Sequence, residues 1–203
     1  MFWRICKWCG VVAGVALQVA CTTMSPEECK LARWHEVGQR DGLHGAPLAL
    51  LSARVKDCAK VDVVVDTEAY NQGRDLGLQS YCRIENAVPL GLSGGSYGGV
   101  CPPAIDVVFQ QRYQVAHAVY SLRGEVQSLD DSIESLERQL RDINRTEDDR
   151  LRNAASDAER SRIRKDMDEQ RQNIRKELAD TDWRLHRKRD DLREAEFDLS
   201  NLR

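Results

Sequence analysis

The sequence lacks the features that mark nucleic-acid-binding and membrane-spanning proteins. Its net charge is only −3 over 203 residues, and its lysines and arginines alternate with acidic residues, so it has no basic patch for nucleic acid. Aromatic residues make up 6% of the chain and charged residues 31%, which indicates that much of it is solvated helix rather than packed core. No proline or glycine follows Gly124, so helix can continue without interruption towards the C-terminus.

Motifs for catalysis and metal binding are also missing. The chain has four histidines, none of them in a His-x-x-x-His pair, and it has no Gly-x-Ser-x-Gly nucleophile motif. His35, Glu36, Asp41 and His44 are close in sequence, but His35 and Asp41 lie too far apart around a helix to converge on one ion. The glycine-rich run 90–99 lacks the Lys-Ser/Thr of a phosphate-binding loop. We therefore expect no catalytic residues, no metal and no cofactor.

The first 20 residues have the pattern of a signal peptide. Two positively charged residues precede an uncharged, largely apolar run over residues 10–20, which is far shorter than the ~20 residues that span a bilayer. The run ends in Leu-Gln-Val-Ala-Cys, which resembles a bacterial lipobox, where the cysteine is lipidated and becomes the first residue of the mature protein. We expect a lipid on Cys21, and Thr22 after it favours the outer membrane. The alternative is ordinary secretion, with Cys21 removed or left free.

Four further cysteines form an even-numbered set in one compact segment, which predicts two disulfides if the compartment is oxidising. They are Cys29, Cys58, Cys82 and Cys101. Cys29 falls in the first turn of one predicted helix and Cys58 in the last turn of the next. Two antiparallel helices with a short connection bring those ends together, so we expect Cys29 to pair with Cys58 and Cys82 with Cys101. Sequence alone allows three pairings.

Capping patterns divide this segment into three predicted helices. They are expected over residues 26–43, 47–60 and 67–81. Ser25 opens a capping box at the start of the first helix, and Asp66 caps the third. Hydrophobic periodicity places Leu48, Leu51, Val55 and Ala59 on the inner face of the second. The glycine-rich run 90–99 is expected to be a loop closed by the second disulfide, with a tyrosine, Tyr97, tucked inward.

The first and third predicted helices share a motif, in which a ring residue is followed three residues later by two glycines four residues apart. The glycines are Gly38 and Gly42 in the first helix, and Gly73 and Gly77 in the third. Glycine inside a helix costs about 1 kcal/mol relative to alanine, and close approach of two helix backbones compensates for that cost. We therefore expect helix-packing surfaces here. A weaker repeat around Ala116 extends this expectation to the start of the next helix.

Residues 104–203, which we call the arm, follow the pattern of a coiled coil. Apolar residues from Leu122 to Ile143 recur at alternating four- and three-residue spacings, and charged residues fill most of the other positions. This seam of apolar residues fades over residues 144–155 and resumes at Ile163. The charged positions are typical of a solvated helix face.

A predicted helix start lies inside the polar gap of the arm. Ser156, with Glu159 three residues later, forms a second capping box. A fold at this point gives an antiparallel hairpin with arms on the order of 70 Å, in which Leu140 faces Met167. A single straight helix of about twice that reach is the alternative that the sequence leaves open.

A set of tryptophan, glycine, tyrosine and cysteine positions runs from Cys29 to about Tyr120. Its members are Trp34, Gly38, Asp41, Gly42, Gly45, Cys58, Ala69, Tyr70, Gly73, Gly77, Leu78, Tyr81, Cys82, Tyr97, Val100, Cys101 and Pro102. This set resembles an uncharacterised family of proteobacterial lipoproteins, the domain of unknown function 2799. The resemblance implies a location in the cell envelope and brings no established activity with it.

Together these patterns predict an all-α protein in three parts. The parts are a signal peptide over residues 1–20, a disulfide-linked helical head over residues 21–103, and the arm as a long antiparallel hairpin over residues 104–203. We expect a lipoprotein that faces the periplasm and binds or scaffolds an envelope protein, or a second copy of itself, through the arm. The alternative is a periplasmic enzyme or enzyme inhibitor with a site near Asp41, Tyr70 and Tyr97.

Overall fold

The computed structural model describes residues 23–202, and the regular secondary structure in this range is helical. The helices are α1 Pro26–Leu31, α2 Trp34–Leu43, α3 Ala49–Ala59, α4 Thr67–Tyr81, a 3-10 helix Ile84–Asn86, α5 Ala87–Leu92, α6 Pro103–Asn153 and α7 Asp157–Ser200. The predicted all-α architecture is confirmed, with a small disulfide-linked helical head followed by two long antiparallel helices. The predicted signal peptide and Cys21 lie outside the described residues.

The prediction of one continuous helix over residues 26–43 is wrong. The chain breaks between α1 and α2, where Ala32 and Arg33 have extended backbone with ψ of 125° and 97°. Cys29 and Trp34 are both buried in the same core. On a continuous helix of 3.6 residues per turn they would lie about 140° apart, so they could not both face that core. The break lets both side chains enter it.

The predicted inner face of α3 is correct for Leu51 and wrong for Leu48, Val55 and Ala59. Leu48 and Val55 are 55% and 37% exposed, whereas Leu51, Arg54 and Cys58 are buried. Hydrophobic periodicity does not find this face because it includes an arginine. A buried guanidinium requires a partner of opposite charge, and the structure provides one on α2. The third predicted helix, by contrast, is confirmed by α4.

The predicted loop over residues 90–99 begins later than expected. Its first three residues form the last turn of α5, and the loop itself starts at Ser93. Gly91 is therefore a helical residue, which is buried against α6. Tyr97 is tucked inward as expected, since its ring centroid lies 4.7 Å from that of Phe109.

Two hydrophobic cores stabilise the head. The first joins α1, α2, α3 and α4 through Met24, Cys29, Trp34, Val37, Leu51, Cys58, Val65 and Tyr70. The second joins the end of α4, α5 and the start of α6 through Leu78, Cys82, Ala87, Cys101 and Phe109. Because Phe109 belongs to the second core, the first turns of α6 are packed as part of the head.

The arm is the predicted antiparallel hairpin, which excludes the straight helix. At 1.5 Å per residue, the 51 residues of α6 and the 44 of α7 are about 76 and 66 Å long. The turn lies between Asn153 and Asp157. Ser156 caps α7 as predicted, because its Oγ accepts a hydrogen bond from the Glu159 amide at 3.2 Å.

The register of the hairpin differs from the prediction by more than one helical turn, because Arg171, which the predicted register places opposite Leu136, forms a salt bridge with Glu147. Met167 is buried in one cluster with Ala154 and Ile163, and Ile143 and Leu151 pack against that cluster. Ile143 lies about one turn further along α6 than the residue that the predicted register places opposite Met167. The polar gap is therefore shorter than predicted, since leucine and alanine side chains continue the seam almost to the turn.

Candidate functional site

The structure pairs Cys29 with Cys58 and Cys82 with Cys101, as expected from the sequence. The Cα atoms of the two pairs are 5.4 and 5.5 Å apart, and all four cysteines are buried. The first disulfide ties α1 to the end of α3, and the second ties the end of α4 to the chain that enters α6. Both cores of the head therefore contain a disulfide, which is typical of small domains in oxidising compartments.

The four helix-packing glycines form a reciprocal crossing between α2 and α4. A Cβ atom on Gly38 would lie 1.9 Å from the carbonyl oxygen of Tyr70, and one on Gly73 would lie 1.9 Å from the carbonyl oxygen of His35. Real Cβ atoms do not approach a backbone atom this closely. Glycine is therefore required at both positions, because the two backbones occupy the space that a side chain would fill.

The same relation recurs one turn further along both helices. A Cβ atom on Gly42 would lie 2.2 Å from the carbonyl oxygen of Arg74, and one on Gly77 would lie 2.2 Å from that of Gln39. Contacts on both helices advance in the same direction along the chain, so α2 and α4 run parallel. The sequence repeat is thus a packing contact between equivalent positions, and the crossing leaves no room for a ligand.

The weaker repeat around Ala116 packs elsewhere than expected. It lies against α5 rather than against α2 or α4, since a Cβ atom on Gly91 would be 2.6 Å from the Tyr113 carbonyl oxygen and 2.7 Å from the Ala116 Cβ atom. The prediction of one shared packing surface is wrong in this respect. The head contains two separate close crossings, and the second one attaches α6.

A buried polar cluster joins α2, α3 and α4. Tyr70 donates a hydrogen bond to Asp41 Oδ2 at 2.6 Å, and Arg54 Nη2 donates one to Asp41 Oδ1 at 2.9 Å. Arg54 Nη1 also donates to Oδ2, which makes the ion pair bidentate. Burial and the hydrogen bond to Asp41 raise the pKa of Tyr70 well above its usual value, so its hydroxyl stays protonated as a donor. The guanidinium and the hydroxyl both donate to the one carboxylate, which is the arrangement of a structural cluster.

Tyr97 lies apart from this cluster. Its hydroxyl donates to the Asp106 carboxylate and accepts from the Cys101 amide at 3.3 Å, and burial raises its pKa to about 12. The structure therefore brings Asp41 and Tyr70 together and places Tyr97 against the other core. Arg54 completes the cluster of Asp41 and Tyr70, and the sequence patterns do not identify it. The residues named in the enzyme alternative do not converge on one cleft.

The histidines of the head do not assemble a metal site either. His44 Nδ1 lies 2.7 Å from the Arg40 carbonyl oxygen, while His35 and Glu36 are exposed on α2. Within residues 23–202, no three side chains of the His, Cys, Asp and Glu types are grouped so that they could hold a metal ion. In the same part of the chain, no helix combines the length and the apolar character needed to cross a membrane.

One flank of the arm carries a row of three grooves between α6 and α7, which together we call the furrow. The basal groove, of about 370 Å³, is lined by residues that include Glu125, Leu129, Trp183, Arg184, Arg187 and Lys188. The central groove, of about 330 Å³, includes Ser128, Ser132, Ser135, Leu136, Glu177 and Thr181. The distal groove, of about 420 Å³, includes Gln139, Ile143, Thr146, Met167, Gln170 and Ile174. Neighbouring grooves share lining residues, so the furrow is continuous.

The other flank of the arm is bridged by ion pairs. Arg123 pairs with Glu196 at 2.7 Å and Asp130 with Arg189 at 3.0 Å. On α6, Arg123 and Asp130 each come one residue after a leucine of the seam. The serines of the furrow each come one residue before a seam residue. The ion pairs and the furrow therefore lie on opposite flanks of α6. The furrow flank also carries a bridge, between Glu125 and Lys188 at 2.8 Å in the basal groove. The central and distal grooves lie open beyond it.

A further ion pair lies within the seam itself. Glu147 and Arg171 form a salt bridge whose side chains are each only 16% exposed. The bond to Glu147 raises the pKa of Arg171 further above its usual value. A polar pair at core positions of a coiled coil favours one alignment of the two helices, because any other alignment leaves both charges without a partner.

Comparison with known families assigns the central part of the chain. Residues 33–118 match the model of a family described as protein of unknown function (DUF2799). The chain carries a DUF2799 domain. No curated protein and no solved structure matches the chain. The DUF2799 domain begins one residue before α2 and ends within α6. It includes the second core, most of the first core and the first turns of α6. It excludes α7 and α1, so Met24 and Cys29 of the first core lie before it.

Proposed function

We propose that this protein is a lipid-anchored binding or scaffolding protein of the cell envelope. Cys21 would carry the lipid, the DUF2799 domain would lie beside the membrane, and the arm would reach into the periplasm to engage a protein partner. The two disulfides indicate an oxidising compartment outside the cytoplasm, which supports this location. Thr22 after the lipidated cysteine favours the outer membrane.

The observation that carries the binding role is the construction of the arm. The second core, which ends at Phe109, and the contact of Ala116 with α5 use only the first turns of α6. The rest of α6 and the whole of α7 form a hairpin roughly 50 to 66 Å long beyond these contacts. A helix pair of this length with an open furrow offers a large surface that the fold of the DUF2799 domain does not require.

The start of the described chain supports a short tether between the anchor and the head. The amide and the hydroxyl of Thr23 donate to the Asp57 carboxylate at 2.7 and 2.9 Å. Hydrogen bonds from Lys60 and Thr23 lower the pKa of Asp57 to about 2, so the carboxylate is ionised at neutral pH. Because Thr23 follows Cys21 by two residues, a lipid on Cys21 would hold this end of the head at the membrane surface.

Fractionation of cells that express the full chain tests the anchor. We expect the wild-type protein in the membrane fraction, with a mass on its N-terminal peptide that includes acyl chains on Cys21. The Cys21→Ser chain should be released with the soluble periplasmic proteins, and Thr22→Ser, one residue away, should remain in the membrane fraction. Equal distribution of the wild-type and Cys21→Ser chains would contradict the anchor.

A further inference from the structure

We propose that two copies of this protein associate through the furrow, antiparallel and related by a two-fold axis, so that Trp183 of each copy enters the distal groove of the other. The inference rests on the proposed use of the arm for binding and names its partner as a second copy of the chain. Three features of the furrow support it: an exposed tryptophan, a groove of suitable chemistry, and small residues midway between them.

Trp183 is the large aromatic side chain of the furrow. It is 57% exposed and lies on α7 between the seam residues Thr181 and Leu185, outside the apolar repeat. The Arg187 guanidinium lies 4.8 Å from the centroid of its ring, which covers one face and leaves the remainder open. Tryptophan is the residue most often found at the energetic centre of an interface, because it removes a large apolar surface from water when it is buried.

The distal groove provides a matching site. Ile143, Met167 and Ile174 contribute apolar surface, and Gln170 and Asn173 add uncharged amides to the lining. A volume of about 420 Å³ accommodates an aromatic side chain. Their side-chain oxygens can accept a hydrogen bond from the indole N–H, so this donor keeps a partner when the ring enters the groove.

The positions along α7 make this surface complementary to itself. Glu177, which lines the central groove, lies six residues from Trp183 and six from Arg171, which is level with the distal groove. A two-fold axis at Glu177 therefore carries each tryptophan, about 9 Å from the axis, onto the distal groove of the other copy. Three of the six α6 residues that line the central groove are serines, whose small side chains let two helices approach closely.

Charge favours the antiparallel arrangement over the parallel one. Rotation about Glu177 brings Arg184 level with Asp142 of the second copy. In a parallel pairing, Arg184 and Arg187 of one copy would instead face the same cations of the other, and Glu177 would face Glu177. The antiparallel pairing opposes the two Glu177 carboxylates at the axis but separates the arginines, so the charge pattern favours the antiparallel orientation.

Cysteine crosslinking of the full chain tests the position of the axis. In an antiparallel pair, Ser135 lies close to the axis and meets its own copy, whereas Arg138, three residues further on the same helix, lies outside the furrow linings. Under mild oxidation, the Ser135→Cys chain extracted in detergent should form a covalent dimer of about twice 23.1 kDa. The Arg138→Cys chain and the wild type should show only the background from native thiols. Equal crosslinking at positions 135 and 138 would overturn the proposal.

A second substitution tests the tryptophan. Adding Trp183→Ala to the Ser135→Cys chain should weaken association by roughly 30-fold or more, as expected for a central interface tryptophan. Adding Phe197→Ala, which removes another exposed aromatic of α7 outside the furrow linings, should leave it unchanged. Crosslinking of position 135 in cells to a different protein, with no homodimer, would show that the furrow binds another chain and would overturn the second-copy proposal. Such a result leaves the anchor test with Cys21→Ser unaffected.

Discussion

In the head, the backbones of α2 and α4 touch at four glycines, whereas in the arm, α6 and α7 are held apart by a seam of side chains that is mostly half-buried. The head combines this crossing with two disulfides and a buried ion pair. The arm depends on an apolar repeat and on ion pairs at its surface. Single residues therefore determine the fold of the head, and a pattern spread over many residues determines the fold of the arm.

This difference predicts unequal tolerance to substitution. A substitution at the glycine crossing, a disulfide or the buried ion pair of the head removes an interaction that no neighbouring residue can replace. A change in the arm removes one of many similar contacts, so its effect is smaller and local. Five substitutions or conditions test this contrast.

The largest effect is expected from loss of the buried arginine. Arg54→Ala leaves the Asp41 carboxylate buried without its cation, which should reduce the free energy of unfolding of the head by about 3 to 5 kcal/mol. Arg33→Ala removes an exposed pair with Glu36 and should change it by less than about 1 kcal/mol. Urea unfolding followed by circular dichroism measures both. Similar losses of unfolding free energy in the two variants would show that the buried ion pair stabilises the head no more than an exposed one.

Closing the space at the crossing should have a nearly equal effect. Gly73→Ala places a Cβ atom against the His35 carbonyl oxygen, where backbone would have to move, and should destabilise the head by about 3 kcal/mol. Gly124→Ala makes the same chemical change in α6, where no atom lies within 4 Å of the new Cβ, and should stabilise that helix by up to about 1 kcal/mol. Opposite signs in thermal unfolding are the expected result, and equal signs would contradict the close crossing.

Removal of one disulfide should come next. The Cys82–Cys101 bond closes a sequence separation of 19 residues, and the Cys82→Ser, Cys101→Ser chain should lose about 3 kcal/mol in the head. The helical signal of the arm should change little, because α7 and most of α6 lie beyond the second core. Hydrogen exchange resolved by segment measures this separation. Equal loss of protection in head and arm would mean that the two parts unfold together.

The seam ion pair tests how the arm fixes its register. Replacing Glu147 and Arg171 together by leucine should leave the stability of the hairpin unchanged or higher, since burial of two leucines offsets the lost ion pair. Arg171→Leu alone leaves Glu147 unpaired and should cost about 1 kcal/mol. The double variant should also populate shifted alignments, which spin-label distances between α6 and α7 would detect. A single sharp distance would show that the pair does not set the register.

The smallest effect is expected from acid at the start of the head. The pKa of Asp57 is lowered from 3.8 to about 2, so its stabilising contribution is complete above about pH 4 and is lost as the pH falls through about 2. Asp57→Asn should therefore flatten the pH dependence of unfolding between pH 4 and pH 2. Asp75→Asn, at an exposed position of α4, provides the control. A wild-type pH dependence in the Asp57→Asn chain would contradict this role.

Local signals in the sequence predict much of this fold. Asp66 and Ser156 mark helix starts that the structure confirms, because a capping side chain acts on the amides next to it. The disulfide pairing follows from the order of helices, and the glycine spacing identifies the surfaces that touch. These features depend on neighbours in sequence or on a simple helical hairpin.

Features that depend on distant contacts are the ones that the sequence does not predict. The break at Ala32 exists because two side chains must enter one core, and Arg54 is buried because Asp41 faces it from another helix. The repeat of the arm is compatible with several registers, so the observed register depends on packing along the whole hairpin. Trp183 lies outside the apolar repeat of α7, so the repeat does not indicate a role for it. Its position in a groove follows from the packing of α6 beside α7.

The central claim is that the head is a complete folding unit and that the arm is an extension of it. The most direct test is urea unfolding of the chain truncated after Gly124, which keeps both disulfides, both cores and the first turns of α6. We predict a helical protein with a single cooperative transition and a stability within about 1 kcal/mol of the head in the full chain. A truncated chain without a cooperative transition would contradict this two-part structure.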